Sequence, residues 1–271
     1  MQRLTPDLYA EASARLASLA PNARDESAVY DRVKESSDPL GQLMTAADSE
    51  TDARVKSELL ESAARRARQE GKLRLAVELL ASAPTSRRVP ETDDARRDEF
   101  LGGGVTEALA RNDFETARFT ASHVRSQVEG AGAFQQIARR HAKADDLQSA
   151  LKTLAEAEKL LERAPEGKER AAAYLRLAAD YAPLDGVRAT AALREGIKAA
   201  NNLSRPRTVP EGEYSWKLFP LADITIRTFQ MLALADRAGA LGLANTFQAR
   251  ELAAAASPGV YSSAPEAAGP P

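Results

Sequence analysis

The chain contains no cysteine in 271 residues. That excludes a disulfide framework, a zinc–thiolate centre and a thiol nucleophile. Histidine is nearly as scarce. His123 and His141 are the only two, and no His-x-x-x-His or Glu-x-x-His spacing sets two ligands on one helical face. Each reads as an ordinary surface or inter-helix histidine. Aromatic residues make up 5% of the chain, with a single tryptophan, Trp216, so a core must be assembled from aliphatic and small side chains. No run approaches the roughly 20 apolar residues of a membrane span. Sustained apolar–polar alternation, the mark of a half-buried strand, is missing too.

Charge of either sign is not in excess. The formal net charge is −2 and the isoelectric point near 5.9, which gives no global attraction to nucleic acid or anionic membrane. The opening residues, Met1 to Asp7, have no apolar stretch of the signal-peptide kind. A cytoplasmic location is the default, with a fragment of a longer protein as the alternative.

What the sequence does contain is helical periodicity punctuated by one recurring turn. A Gly/Asn/Asp-rich turn is followed by a large apolar residue, then by a small residue three positions later. The copies read Gly71-Lys72-Leu73 with Ala76, Asn112-Asp113-Phe114 with Ala117, and Asp145-Asp146-Leu147 with Ala150. Two more read Asp185-Gly186-Val187 with Thr190, and Gly239-Ala240-Leu241 with Ala244. The apolar anchors at 73, 114, 147, 187 and 241 are 41, 33, 40 and 54 residues apart. Repeats near this length predict stacked helix pairs, so the expected fold is all-α, an α-solenoid.

Thr5-Pro6 and Asp38-Pro39 are helix starts, each a capping side chain followed by proline at the first helical position. Residues 5–19, a short stretch at 27–34 and the segment after Asp38 read as helical but match the repeat poorly. Residues 1–51 are therefore expected to form an irregular N-terminal cap, and 52–256 an array of about five pairs. Val55, Leu59, Leu60, Ala63, Ala64 and Ala67 make the first clear stripe, and Leu73, Ala76, Val77 and Leu80 the second. Pro84 to Asp94 reads as a loop. Prolines at 206, 210 and 220 make 203–220 an insertion, which carries Trp216, either folded back on the stack or meeting a partner. The proline-rich stretch 257–271 is expected to be a disordered tail.

The turn and its small residues resemble the tetratricopeptide repeat, with Ala138, Asp145-Asp146-Leu147, Ala150 and Ala157 the best match, and Ala64, Gly71-Lys72-Leu73, Ala76 and Ala83 the next. The pattern is degenerate, because no unit carries that family's tryptophan and only the 33-residue spacing is near its 34. The alanine- and arginine-rich style is similar to that of uncharacterised bacterial helical-repeat proteins. The resemblance implies a superhelix whose first helices line a concave groove. It would put Arg65, Arg68, Gln69, Gln135, Arg139 and Lys143 on that groove, where arginine forks and lysine heads suit the carboxylates of an acidic peptide.

No nucleophile elbow and no phosphate loop is found. Gly102-Gly103-Gly104 lacks the preceding strand and the following lysine, and it reads as the point after which a helix starts. No catalytic, cofactor or metal set is expected. The leading function is a non-enzymatic scaffold that holds a partner peptide or helix. The alternatives are an all-α enzyme or lipid- or small-molecule-binding domain with an inter-helix cavity, and an RNA-binding helical repeat. The last needs basic residues at equivalent places in every unit, and units two, four and five do not supply them.

Overall fold

The structure, a computed structural model, describes residues 36–84, 90–203, 221, 224–234, 237–248, 252–254 and 256. Among them there is helix and no strand. The helices are α1 (Pro39–Ser49), α2 (Ala53–Gln69), α3 (Leu73–Ser82), α4 (Pro90–Ala110) and α5 (Phe114–Ala121). They continue as α6 (Gln127–Lys143), α7 (Leu147–Arg163), α8 (Lys168–Tyr181), α9 (Gly186–Asn201) and α10 (Arg237–Ala244), with residues 224–234 also helical. The chain divides into two compact units between Asp94 and Ala95, inside the stretch read from sequence as one array. The N-terminal helices at 5–19 and 27–34, the insertion with Trp216 and the tail lie outside the described residues.

In the first unit α2 packs against both α1 and α3. Asp38 starts α1 by accepting from the Gly41 amide at 3.0 Å, and Pro39 stands at the first helical position. Asp52 starts α2 by accepting from the Arg54 and Val55 amides. Both expected stripes are buried, from Val55 to Ala67 on α2 and from Leu73 to Leu80 on α3.

In the second unit α6 pairs with α7, α8 pairs with α9, and α8 also packs on both α6 and α7. Small residues set these crossings. A Cβ on Gly130 would meet Leu160 Cδ1 at 3.2 Å, and one on Gly196 would meet Leu175 Cδ2 at 3.0 Å. Residues 224–234 and 237–248 are fastened to α8 and α9. Thr228 Oγ1 donates to the Leu175 carbonyl at 2.9 Å, and Asn201 both donates to the Thr246 carbonyl and accepts from the Gln248 amide.

Three of the five expected turns share one geometry. Gly71, Asn112 and Asp145 have φ of 77°, 58° and 62°, the left-handed region that glycine and Asn/Asp tolerate best. In each, the next residue's amide reaches back five residues, from Lys72 to Ala67, Asp113 to Ala108 and Asp146 to His141. The turn residue's own amide reaches back three. These are Schellman closures that satisfy the last carbonyls of α2, α4 and α6. The small residue three positions into the next helix is buried each time, at Ala76, Ala117 and Ala150.

The other two copies depart from expectation. Gly239 to Leu241 is not a turn but the middle of α10, because Ala240 and Ala244, one helical turn apart, share its buried face. At the fourth copy the register is one residue earlier than the motif suggests. Asp185 caps α9, Gly186 is its first residue, and Ala189 rather than Thr190 is fully buried. Val187 is 83% exposed and Leu147 46%, so the apolar anchor is not uniformly a core residue.

Helix α4 overturns two further expectations. It begins at Pro90, so the end of the expected loop is helical, as suits proline near a helix start. It also runs through Gly102-Gly103-Gly104. Leu101, Val105, Ala108 and Leu109 form a buried stripe on either side of the run. That burial outweighs a glycine penalty of about 1 kcal/mol per residue.

Candidate interaction face on α6 and α8

A stripe at every third or fourth position along α6 faces outward: Glu129, Gln136, Arg140 and Lys143 are exposed and Gly132 is half-buried, with exposed Arg139 beside them. The matching stripe of α8 has Glu169 and Arg176 exposed, Ala179 and Asp180 half-buried and Ala172 buried between them. Two cross-helix bonds show that the helices run in the same direction with these stripes side by side. Gln135 Nε2 donates to the Ala173 carbonyl at 3.1 Å, and Arg139 grips Asp180 through Nε at 2.7 Å and a terminal nitrogen at 2.9 Å. The result is one continuous face drawn from two successive pairs.

The floor of this face is small. Ala133, Ala172 and Ala173 are nearly covered, and the Cβ position of Gly132 has no atom within 4 Å. Its charges are sorted by end. Glu129 and Glu169 stand near the helix starts, and Glu99 of α4 lies close enough to Glu129 to act on it. Burial, then the charges of Asp98 and Glu99, push the Glu129 carboxyl above its ordinary range. Asp98 is itself buried and accepts from the Arg125 and Ser126 amides, both at 2.8 Å, which fixes the approach to α6. Arg139, Arg140 and Lys143 gather at the end of α6, and Arg176 lies midway along α8.

The expected groove residues separate. Arg65, Arg68 and Gln69 belong to the first unit, at the end of α2. There Arg65 and Gln69 are exposed and Arg68 is half-buried. Next to them Arg66 and Lys72 each hold Glu70 at 2.9 Å. The Lys72 hydrogen bond, then that of Arg66, holds the Glu70 carboxyl below its usual range. The remaining residues lie on α6 in the second unit. Gln135 is a correction: it is 2% exposed and faces α8, about a quarter-turn away from the open stripe. Its amide would cost about 1–3 kcal/mol if left without a partner there. Arg139 is a correction in part, because its fork is occupied by Asp180 rather than open to an acidic ligand. Asp180 shows how finely this pair is balanced: burial raises its carboxyl more than the Arg139 hydrogen bond and charge lower it. Lys143 is exposed. Trp216 lies outside the described residues.

Both histidines lie against phenylalanine rings, His141 on Phe114 and His123 on Phe119. His141 stacks on Phe114 with ring centroids 4.2 Å apart, and its Nδ1 lies 3.3 Å from an Asp146 oxygen. His123 places Nδ1 2.8 Å from the Phe119 carbonyl oxygen. Among the described residues no group of three or more His, Asp or Glu is placed to hold a metal. No described helix is long and apolar enough to cross a membrane. A cleft of about 240 Å³ opens at the starts of α6 and α8, lined by Ser126, Glu129, Glu166, Glu169 and Arg170 among others.

The exposed residues Gln136, Arg176 and Glu169 were not singled out from sequence. Their signal was their periodic place on two helices that only the fold sets side by side. No protein-family profile, curated protein or solved structure matches this chain.

Proposed function

We propose that this chain is a non-enzymatic protein-interaction module, a stack of helix pairs similar in plan to a tetratricopeptide array. Its working surface is the open face of α6 and α8, which receives a peptide or helix of a partner. The observation that carries this reading is the continuity of that face. Two helices from successive pairs present one strip, small in the floor and charged at the ends. Such a strip lets a backbone approach closely and then fixes its orientation. The pairing of Arg139 with Asp180 turns the reading away from a purely acidic ligand and toward one that carries both signs.

The test is site-specific photo-crosslinking of the full chain in extract of its source. Benzoylphenylalanine at Gln136 or Arg176 should trap a discrete adduct. The same label at Lys159, exposed on α7, should not. Adducts at Lys159 alone, or none at Gln136 and Arg176, would overturn the reading.

A further inference from the structure

We propose that the occupant of the α6–α8 face is an amphipathic helix, acidic in its first half and basic in its second, lying antiparallel to both helices. This rests on the face being the interaction surface. From Glu129 to Lys143 the strip is about 21 Å long, the length of a helix of roughly fourteen residues. One end presents Glu129 and Glu169, with Glu166 and Arg170 lining the same cleft. The other presents Arg140 and Lys143, which make no ion pair among the described residues, and Arg176 stands at the middle. The Arg139–Asp180 pair contributes no net charge.

Glutamates near a helix start and cations near its end already suit that helix's own dipole. Two parallel helices with their ends level make that ordering a property of the whole face. A helix laid antiparallel opposes both dipoles favourably. Its own usual ordering, acidic first and basic last, then sets every end against the opposite sign. Laid parallel, the same helix would meet like charge at both ends. The floor supports contact at the acidic half, where Gly132 and Ala173 leave room for a side chain between α6 and α8. At the basic half the Arg139–Asp180 bridge closes that groove.

A second copy of this chain fits less well. A two-fold axis across the face at Gln136 sets Glu129 over Lys143 of the other copy. It also sets Arg176 over its own counterpart, like charge on like charge.

The experiment uses the full chain and two stapled alanine-based peptides of identical composition, matched for helicity by circular dichroism. One carries glutamates first and lysines last, the other the reverse. Fluorescence anisotropy should show the acidic-first peptide binding at least about tenfold more tightly, with the difference shrinking as salt is raised. Reversal of the face by Glu129→Lys, Glu169→Lys, Arg140→Glu and Lys143→Glu, all at exposed positions, should invert the preference. Equal affinities, a basic-first preference, an unchanged preference in the reversed protein, or no saturable binding below about 1 mM would each overturn the proposal. So would a dimer in sedimentation that the peptide disperses, which would give the face to a second copy. If crosslinking at Gln136 persists while the peptides are not discriminated, only the charge order fails. Crosslinking confined to Lys159 removes the face itself.

Discussion

The turn between α6 and α7 and the turn between α8 and α9 perform the same reversal by different means. The first uses Asp145 in the left-handed region, a Schellman closure, and Asp146 as the cap of α7. The second has Pro183 and no left-handed residue, and the amides of Leu184 and Asp185 both fall back on the Tyr181 carbonyl. Asp185 then caps α9 by accepting from the Val187 and Arg188 amides. In both cases the buried small residue lies four positions after the cap, at Ala150 and at Ala189. What is constant is the distance from cap to helix crossing; the apolar residue beside the cap is incidental.

The sharpest way to break this comparison is to overfill the crossings. Ala150→Leu and Ala189→Leu should each cost about 1–3 kcal/mol, because neither site has room for added methylenes. Thr190→Leu, at a half-buried site, should stay within about 0.5 kcal/mol. Urea denaturation of the three variants decides it. If Thr190→Leu is as costly as Ala189→Leu, the register is that of the sequence motif and not that of the structure.

The turns themselves give smaller effects. Asp185→Ala removes an acceptor for two amides and should cost about 1 kcal/mol. Asp145→Gly should instead raise stability by a few tenths of a kcal/mol, since glycine reaches positive φ without strain. Pro183→Gly, where no residue needs positive φ, should lower it by about 0.4–1 kcal/mol by loosening the unfolded chain. Thermal melts of these three variants would show whether the two turns differ as described.

The smallest effect is one of sign. The Asp146 carboxyl is held low, first by its hydrogen bonds to Ser149 and then by His141. Its contribution is present above the ordinary aspartate range and is lost as pH falls through its own lowered value. Asp180 is raised, mainly by burial. Its native form takes up a proton at higher pH than the unfolded chain does, so it favours folding more as pH falls. Arg139→Ala leaves that carboxylate without its cation, so the variant should be destabilised at neutral pH and recover toward wild type as pH falls and the carboxyl takes up its proton. Asp146→Asn should blunt the loss of stability in acid. Melting midpoints from pH 2 to 7 that run parallel in all three proteins would refute both assignments.

Much of the fold was legible because the turn chemistry is restrictive. Gly71, Asn112 and Asp145 belong to the few residue types that tolerate positive φ, and each lay where a helical stripe ended. Ala76, Ala117 and Ala150 followed at a fixed distance and are buried. The misreadings have physical causes. At Gly102-Gly103-Gly104 local propensity argued against helix, but the flanking apolar stripe prevailed. At Val187 an apolar residue beside a cap passed for a core anchor. At Gly239 a glycine-led motif matched the turn, while the buried spacing of Ala240 and Ala244 kept the segment helical. The candidate face was only half legible, since the partner of Arg139 lies 41 residues away and that of Gln135 38. Only the stacking of α6 on α8 shows which of their faces stays open.

The buried amide of Gln135 also has a mechanical meaning. A hydrogen bond between a side chain on α6 and a backbone carbonyl on α8 acts as a key in a slot. A slide of one residue along the helix axis moves the carbonyl about 1.5 Å and stretches the bond that satisfies a polar group in an apolar crossing. Sliding of the two helices past each other therefore works against that buried bond.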